Sequence, residues 1–178
     1  MDPVIDTALR AGFAVLFLAA AFHKIRDLAR FRATLAAYRL LPPRLVAPGA
    51  LALAVTELGL AVALAAPPLR GPSLLAAAGL LSIYGGAMAV NLARGRRDID
   101  CGCVGPAARR PISGVLVARN AVLAAVALGG LLPVSPRPLS WVDGITVLGA
   151  TVTLAALYPA FDRLLALAPR RAMLRGGT

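Results

Sequence analysis

Apolar residues in this chain come in long unbroken runs, and nothing else about it narrows the choice of fold so far. Runs near the roughly 20 residues needed to cross a bilayer lie at about 5–23, 46–66, 72–93, 113–132 and 142–161. With 59% of its 178 residues hydrophobic, the chain could not hide its apolar surface in one small soluble core. The expected fold is an all-α, polytopic integral membrane bundle of five transmembrane helices, four forming the core and one peripheral. The first run begins with Asp2 and Asp6 where a signal peptide would carry basic residues, so it is read as a retained span. Only short Pro- and Gly-containing connections remain, which leaves a single membrane domain over residues 1–178.

The charges sit in the gaps between the runs. A formal net charge of +11, from 19 Lys plus Arg against 8 Asp plus Glu, would ordinarily suggest a nucleic-acid partner. Here it reads as a topology signal and implies no nucleic acid, the lipid bilayer being the implied partner. The gap after the first run carries Lys24, Arg26, Arg30, Arg32, Arg39 and Arg44, the gap after the third carries Arg94, Arg96, Arg97, Arg109 and Arg110, and the tail carries Arg163, Arg170, Arg171 and Arg175. Five spans put these fifteen cations on one side, against Arg70 and Arg137 on the other. The positive-inside rule then sets the N-terminus outside and the C-terminus in the cytoplasm. Within the first gap, Ile25, Leu28, Phe31, Leu35 and Tyr38 recur at helical spacing, with cations elsewhere on the wheel. This predicts an interfacial amphipathic helix over about 25–40, lying on anionic headgroups and ended by Pro42-Pro43.

The loop at 94–112 contains both cysteines of the protein, Cys101 and Cys103, separated by Gly102. Two thiols cannot staple a secreted scaffold, and scattered structural cysteines would more often lie in the apolar runs. A disulfide between neighbours at i and i+2 needs a bent backbone, which Gly102 permits because it has no Cβ to forbid positive φ. Such a small ring is strained and labile, which suits electron exchange better than stapling. Arg94, Arg96 and Arg97 would favour a thiolate, and Asp98 and Asp100 would oppose it. A soft-metal site for Cu(I) or Hg(II) is the competing chemistry, because two thiolates suit such an ion. The single His23 is too little for a conventional metal site, so no metal ligands are assigned.

Several polar residues lie within the runs. Glu57 falls near the middle of the second, where an ionised carboxylate is costly unless paired. Arg119 and Asn120 lie about two turns into the fourth, while His23, Lys24 and Asn91 close the first and third on the loop side. Together these residues could line one polar pocket below the cysteine loop. Glu57 with Arg119 is the first pairing to expect, with Lys24 as the alternative cation. Tyr84, Gly85 and Gly86 could open a slot for a quinone ring, but no residue calls for one and no cofactor is required.

The segment AFHKIRDLARF, Tyr38 with Leu41-Pro42, the intramembrane Glu57, the loop NLARGRRDIDCGCVG and the pair Arg119-Asn120 together resemble the MauE family, related to DoxX-like membrane proteins. The resemblance covers about residues 8–132 and is most specific from Asn91 to Gly105. It implies a bacterial cytoplasmic-membrane protein required for maturation of the disulfide-rich small subunit of methylamine dehydrogenase. It further implies a periplasmic thioredoxin-like partner of the MauD type, which favours the thiol-redox reading of Cys101 and Cys103 over metal transport or a non-catalytic chaperone. That role lies outside the cytoplasm, whereas the arginines place the loop inside. Either the loop opens through the bundle, or electrons are relayed across the membrane between thiol proteins, or the number of spans differs by one from five.

Overall fold

Asp2 starts the first helix by accepting a hydrogen bond from the Val4 N–H at 2.8 Å, and Pro3 follows where its missing N–H costs nothing. That bond, with Arg137 adding to it, holds the Asp2 carboxyl below its usual pKa. In the computed structural model, which describes residues 1–102 and 111–175, helix α1 runs Pro3–Arg26. Asp27 then ends α1, its N–H reaching the His23 carbonyl, and begins α2 (Leu28–Tyr38) by accepting from the Arg30 N–H at 3.1 Å. Left-handed Arg39, with φ 51°, closes α2, and Pro42-Pro43 launches α3 (Pro43–Ala65). A 3₁₀ turn at Pro67–Leu69 leads into α4 (Arg70–Ala93), followed by α5 (Gly114–Gly129) and α6 (Trp141–Arg175).

Four helices, α1, α3, α4 with its leading turn, and the Trp141–Tyr158 part of α6, are long and apolar enough to cross a membrane. At 16 residues α5 is shorter than the 113–132 span expected for it. It still traverses the bundle. Ile112, just before α5, donates its N–H to Ile99, just after α4, while the carbonyls of Gly130 and Leu132, just past α5, accept from Arg70 at the start of α4. Helix α5 therefore returns antiparallel along the length of α4. Helix α1 packs on α3 and α6, and α6 presents no buried side chain over Trp141–Tyr158, so four helices form the core and α6 is peripheral.

Lipid tails are as apolar as leucine, so the helices cannot associate by withdrawing oil from water. Close packing takes over that role. Ala21, Ala50, Ala54, Ala77 and Ala127 are fully buried, and Ala77 and Ala127 let backbones approach in the core around Phe13, Phe17, Leu64 and Leu74. Gly130 has no room to spare: a Cβ there would stand 3.0 Å from Leu9 and 3.1 Å from Leu74.

The amphipathic segment after α1 forms a separate helix, α2, between two membrane-crossing helices, as expected, though it is shorter than 25–40. Ile25 belongs to α1 and is exposed, and the stripe Leu28, Phe31, Leu35 and Tyr38 turns toward the protein. The reason is that the polypeptide itself covers this face: Gly102 lies against Phe31 and Thr34, and Tyr38 joins a second core with Met88, Ile99, Cys101, Ile112 and Leu116.

The opposite end is tied by charges near the helix ends. Buried Asp6 accepts from Arg70 Nε at 2.7 Å and lies 3.7 Å from Arg10, whose Nε donates to the Leu64 carbonyl at 2.9 Å. Arg70 also donates to the Leu132 carbonyl at 2.8 Å, so one guanidinium joins α1, α4 and the end of α5. Arg70→Met should lower stability by about 2 kcal/mol, the loss expected for several charge-assisted bonds on a partly exposed side chain. Arg26→Met, at an exposed position, should change it by less than about 0.5 kcal/mol. Thermal unfolding of both variants in detergent measures the difference.

Candidate functional site

Lys24 lies in the last turn of α1 and Glu57 midway along α3, and the packing of these two helices makes them neighbours. Their Nζ and Oε1 atoms are 2.5 Å apart, with the side chains 3% and 0% exposed. Glu57 thus takes the alternative cation and not Arg119, because α3 packs beside α1 while α5 packs on α4. Arg119 instead stands 5.4 Å from the ring centroid of Tyr158 on α6. The Tyr84 hydroxyl from α4 donates to the same Glu57 oxygen at 2.8 Å, and Glu57 Oε2 has no hydrogen-bond partner among the described residues.

Lys24 is further held by aromatic faces, its Nζ lying 5.1 Å from the Phe31 ring centroid and 5.3 Å from that of Tyr84. Phe31 connects this pair to the cysteine loop. Gly102 has φ +72°, and a Cβ on it would lie 3.1 Å from Thr34 Cγ2 and 3.5 Å from Phe31 Cε2. A side chain there would therefore meet both an unfavourable backbone region and α2. The glycine expected to bend the Cys-Gly-Cys segment does sit in a left-handed turn, with its N–H directed to Asp100 Oδ1 at 3.4 Å.

A narrow neck supports that turn. Asp100 and Pro111 form an isolated antiparallel bridge, and buried Ile99 and Ile112 pack beneath it. Cys101 lies just beyond the neck, buried, with the Tyr38 hydroxyl donating to its carbonyl at 3.5 Å. Cys103, together with Arg109 and Arg110, lies outside the described residues.

The remaining expected site residues divide between anchoring and exposure. Arg96 donates to the Ala37 carbonyl at 2.6 Å, the Tyr38 carbonyl at 3.3 Å and Asn91 Oδ1 at 2.8 Å. It neutralises the carbonyl end of α2, so its donors serve the loop's attachment. Asn91 also donates to the Ala87 carbonyl at 3.1 Å, and Asn120 donates to the Leu116 carbonyl at 2.8 Å while packing against Gly85. Arg94 and Arg97 are exposed. The described contacts thus join Lys24 with Glu57 and Tyr84, and Asn91 with Arg96 and the end of α2.

Two contributors escaped sequence reasoning. Arg30 lies 3.5 Å from Asp100, tying α2 to the residue before Cys101, but in the sequence it is one cation among six. Tyr84 reads in the sequence only as a slot former; its position near the middle of α4 gives no sign that it faces Glu57.

Removing one member of a buried ion pair leaves the other charge uncompensated, so Lys24→Met should destabilise the bundle by about 3–5 kcal/mol. The double variant Lys24→Met/Glu57→Leu should recover more than half of that loss. Unfolding in detergent compares the two, and a double variant as unstable as the single one would contradict the pairing.

The family model described as methylamine utilisation protein MauE matches residues 2–133, from the cap of α1 to the turn after α5. The methylamine utilization protein MauE of Paracoccus denitrificans is 40% identical over 161 residues, 89% of this chain and 86% of that relative. Its namesake in Methylophilus methylotrophus is 39% identical over 173 residues, covering 91% and 89% of the two chains. The one from Methylorubrum extorquens is 40% identical over 157 residues, covering 86% and 84%. No solved structure matches. The matched stretch contains Lys24, Glu57, Tyr84 and the whole cysteine loop and leaves out only α6 and the segment before it, and the chain accordingly belongs to the MauE family of methylamine utilisation proteins.

Proposed function

We propose that this protein is a membrane thiol–disulfide component that supports disulfide formation in a partner protein, such as the small subunit of methylamine dehydrogenase, through exchange with a thioredoxin-like protein. The observation that carries the reading is the left-handed Gly102 turn pressed against α2, which bends the chain directly between the two cysteines. Cys101 and Cys103 act as one redox pair. A thiolate of the pair attacks the partner's disulfide, forming a mixed disulfide and releasing one partner thiolate; the second cysteine, as its thiolate, then displaces the other. The partner leaves as a dithiol, two electrons having passed to it while the Cys101–Cys103 disulfide closes; the reverse sequence oxidises the partner.

In this reading Asn91, Arg96 and Arg30 hold the loop on α2, and Lys24 and Glu57 support it from below through Phe31. Exposed Arg94 and Arg97 present positive charge to the incoming protein. Arg119 and Asn120 shape α5 beside the neck. The pair supplies its own chemistry, so no cofactor enters the exchange. The protein lies in the bacterial cytoplasmic membrane with its N-terminus outside and the loop on the cytoplasmic face, in keeping with the cations gathered at that end.

Cys101→Ser or Cys103→Ser leaves one thiol unable to resolve a mixed disulfide. Each single variant should therefore accumulate a covalent adduct with a thioredoxin-like protein, visible as a reducible band after alkylation, and should lose maturation activity by about tenfold or more. Full maturation activity in both single variants would overturn the redox reading. A membrane-impermeant thiol reagent should leave the loop unlabelled in intact cells and modify it after permeabilisation. Labelling in intact cells would put the loop outside and reverse the topology.

A further inference from the structure

Helix α2 has a second face, turned away from the cysteine loop, and it forms one wall of an open groove of about 530 Å³ against the start of α3. Arg32 and Arg39 stand at this groove, and Ala33, Ala36, Leu41 and Val46 give it an apolar lining. Neither arginine makes an ion pair among the described residues, and the nearby acids are committed elsewhere: Asp27 caps α2 and Asp100 pairs with Arg30. Gly49 shapes the apolar wall, since Leu41 Cδ1 lies 3.2 Å from where its Cβ would stand, so the absent side chain lets Leu41 fold down on α3. Exposed Leu40 and Leu45 flank the same turn.

The position of the groove is as informative as its lining. It lies between α2, which directly follows the last turn of membrane-crossing α1, and the first turn of membrane-crossing α3, which is headgroup depth. We propose that it is a binding site for one anionic phospholipid, whose phosphate meets Arg32 and Arg39 and whose upper acyl chain lies over Ala36, Leu41 and Val46. A free phosphate would use the two guanidiniums and leave the apolar wall in water, whereas a phospholipid engages both. The site is separate from the thiol chemistry and does not depend on it.

The test uses the purified full-length protein in neutral detergent, with bound lipid counted by native mass spectrometry. Phosphatidylglycerol should be retained and phosphatidylcholine of the same chains released. Arg32→Gln and Arg39→Gln should each weaken phosphatidylglycerol binding about fivefold, while Arg26→Gln, an equal loss of charge outside the groove, should change it by less than about twofold. Ala36→Trp keeps both guanidiniums and fills the lining, and should abolish retention; melting curves confirm that each variant is folded. Equal retention of phosphatidylcholine, indifference to Arg32 and Arg39, or an equal loss in Arg26→Gln would overturn the site. Displacement of phosphatidylglycerol by millimolar inorganic phosphate would overturn the lipid as its occupant.

Discussion

An ammonium and a carboxylate enclosed together in a bundle whose outer surface is hydrocarbon cannot separate at low cost, and Lys24 with Glu57 imposes that condition on everything around it. The pair fixes the register of α1 against α3, because sliding either helix by one turn, about 5.4 Å, would leave both charges uncompensated. Tyr84 extends the constraint to α4 through the shared carboxylate oxygen. Phe31 extends it to α2, whose ring stands over the ammonium on one side and under the Gly102 turn on the other. A buried ion pair between α1 and α3 thus bears, through Phe31, on where the Gly102 turn lies.

The two ends of the bundle solve different problems. At the N-terminal end, Asp6, Arg10 and Arg70 saturate one another and the carbonyls of finishing helices, leaving a closed knot. At the loop end, the polar contacts are divided among α2, the neck and α4, each anchoring a separate short segment. One end is built for permanence; the other holds a short, sharply bent piece of backbone in a set position while keeping it near the surface.

Much of this was legible in the sequence, for physical reasons that also explain the remainder. The runs announce helices because hydrocarbon leaves the backbone no alternative, and the exclusion of α6 from the core follows the expectation of a four-helix core with one peripheral helix. Gly102 was readable because only glycine suits the bend. The partner of Glu57 was not readable with certainty, since depth in the membrane can be counted along the chain but the choice between neighbours cannot; Arg119 and Lys24 differ only in which helix packs beside α3. The inward turn of α2 was hidden because an apolar stripe looks the same whether it faces lipid or protein. The pairing of Arg70 with Asp6 was not readable because the two are 64 residues apart.

Asp27 carries a consequence for how this architecture can change. It closes α1 and opens α2 with no residue between them, so the two helices share a single joint and no slack. Each inserted or deleted residue at that joint would rotate α2 by about 100°. A single step would carry Phe31 off the ammonium and swing an arginine toward the neck, and four steps would be needed to bring the faces back nearly into phase. Length variation should therefore be far better tolerated between α5 and α6, where no such joint exists, than between the first two helices, whose separation is set to the residue.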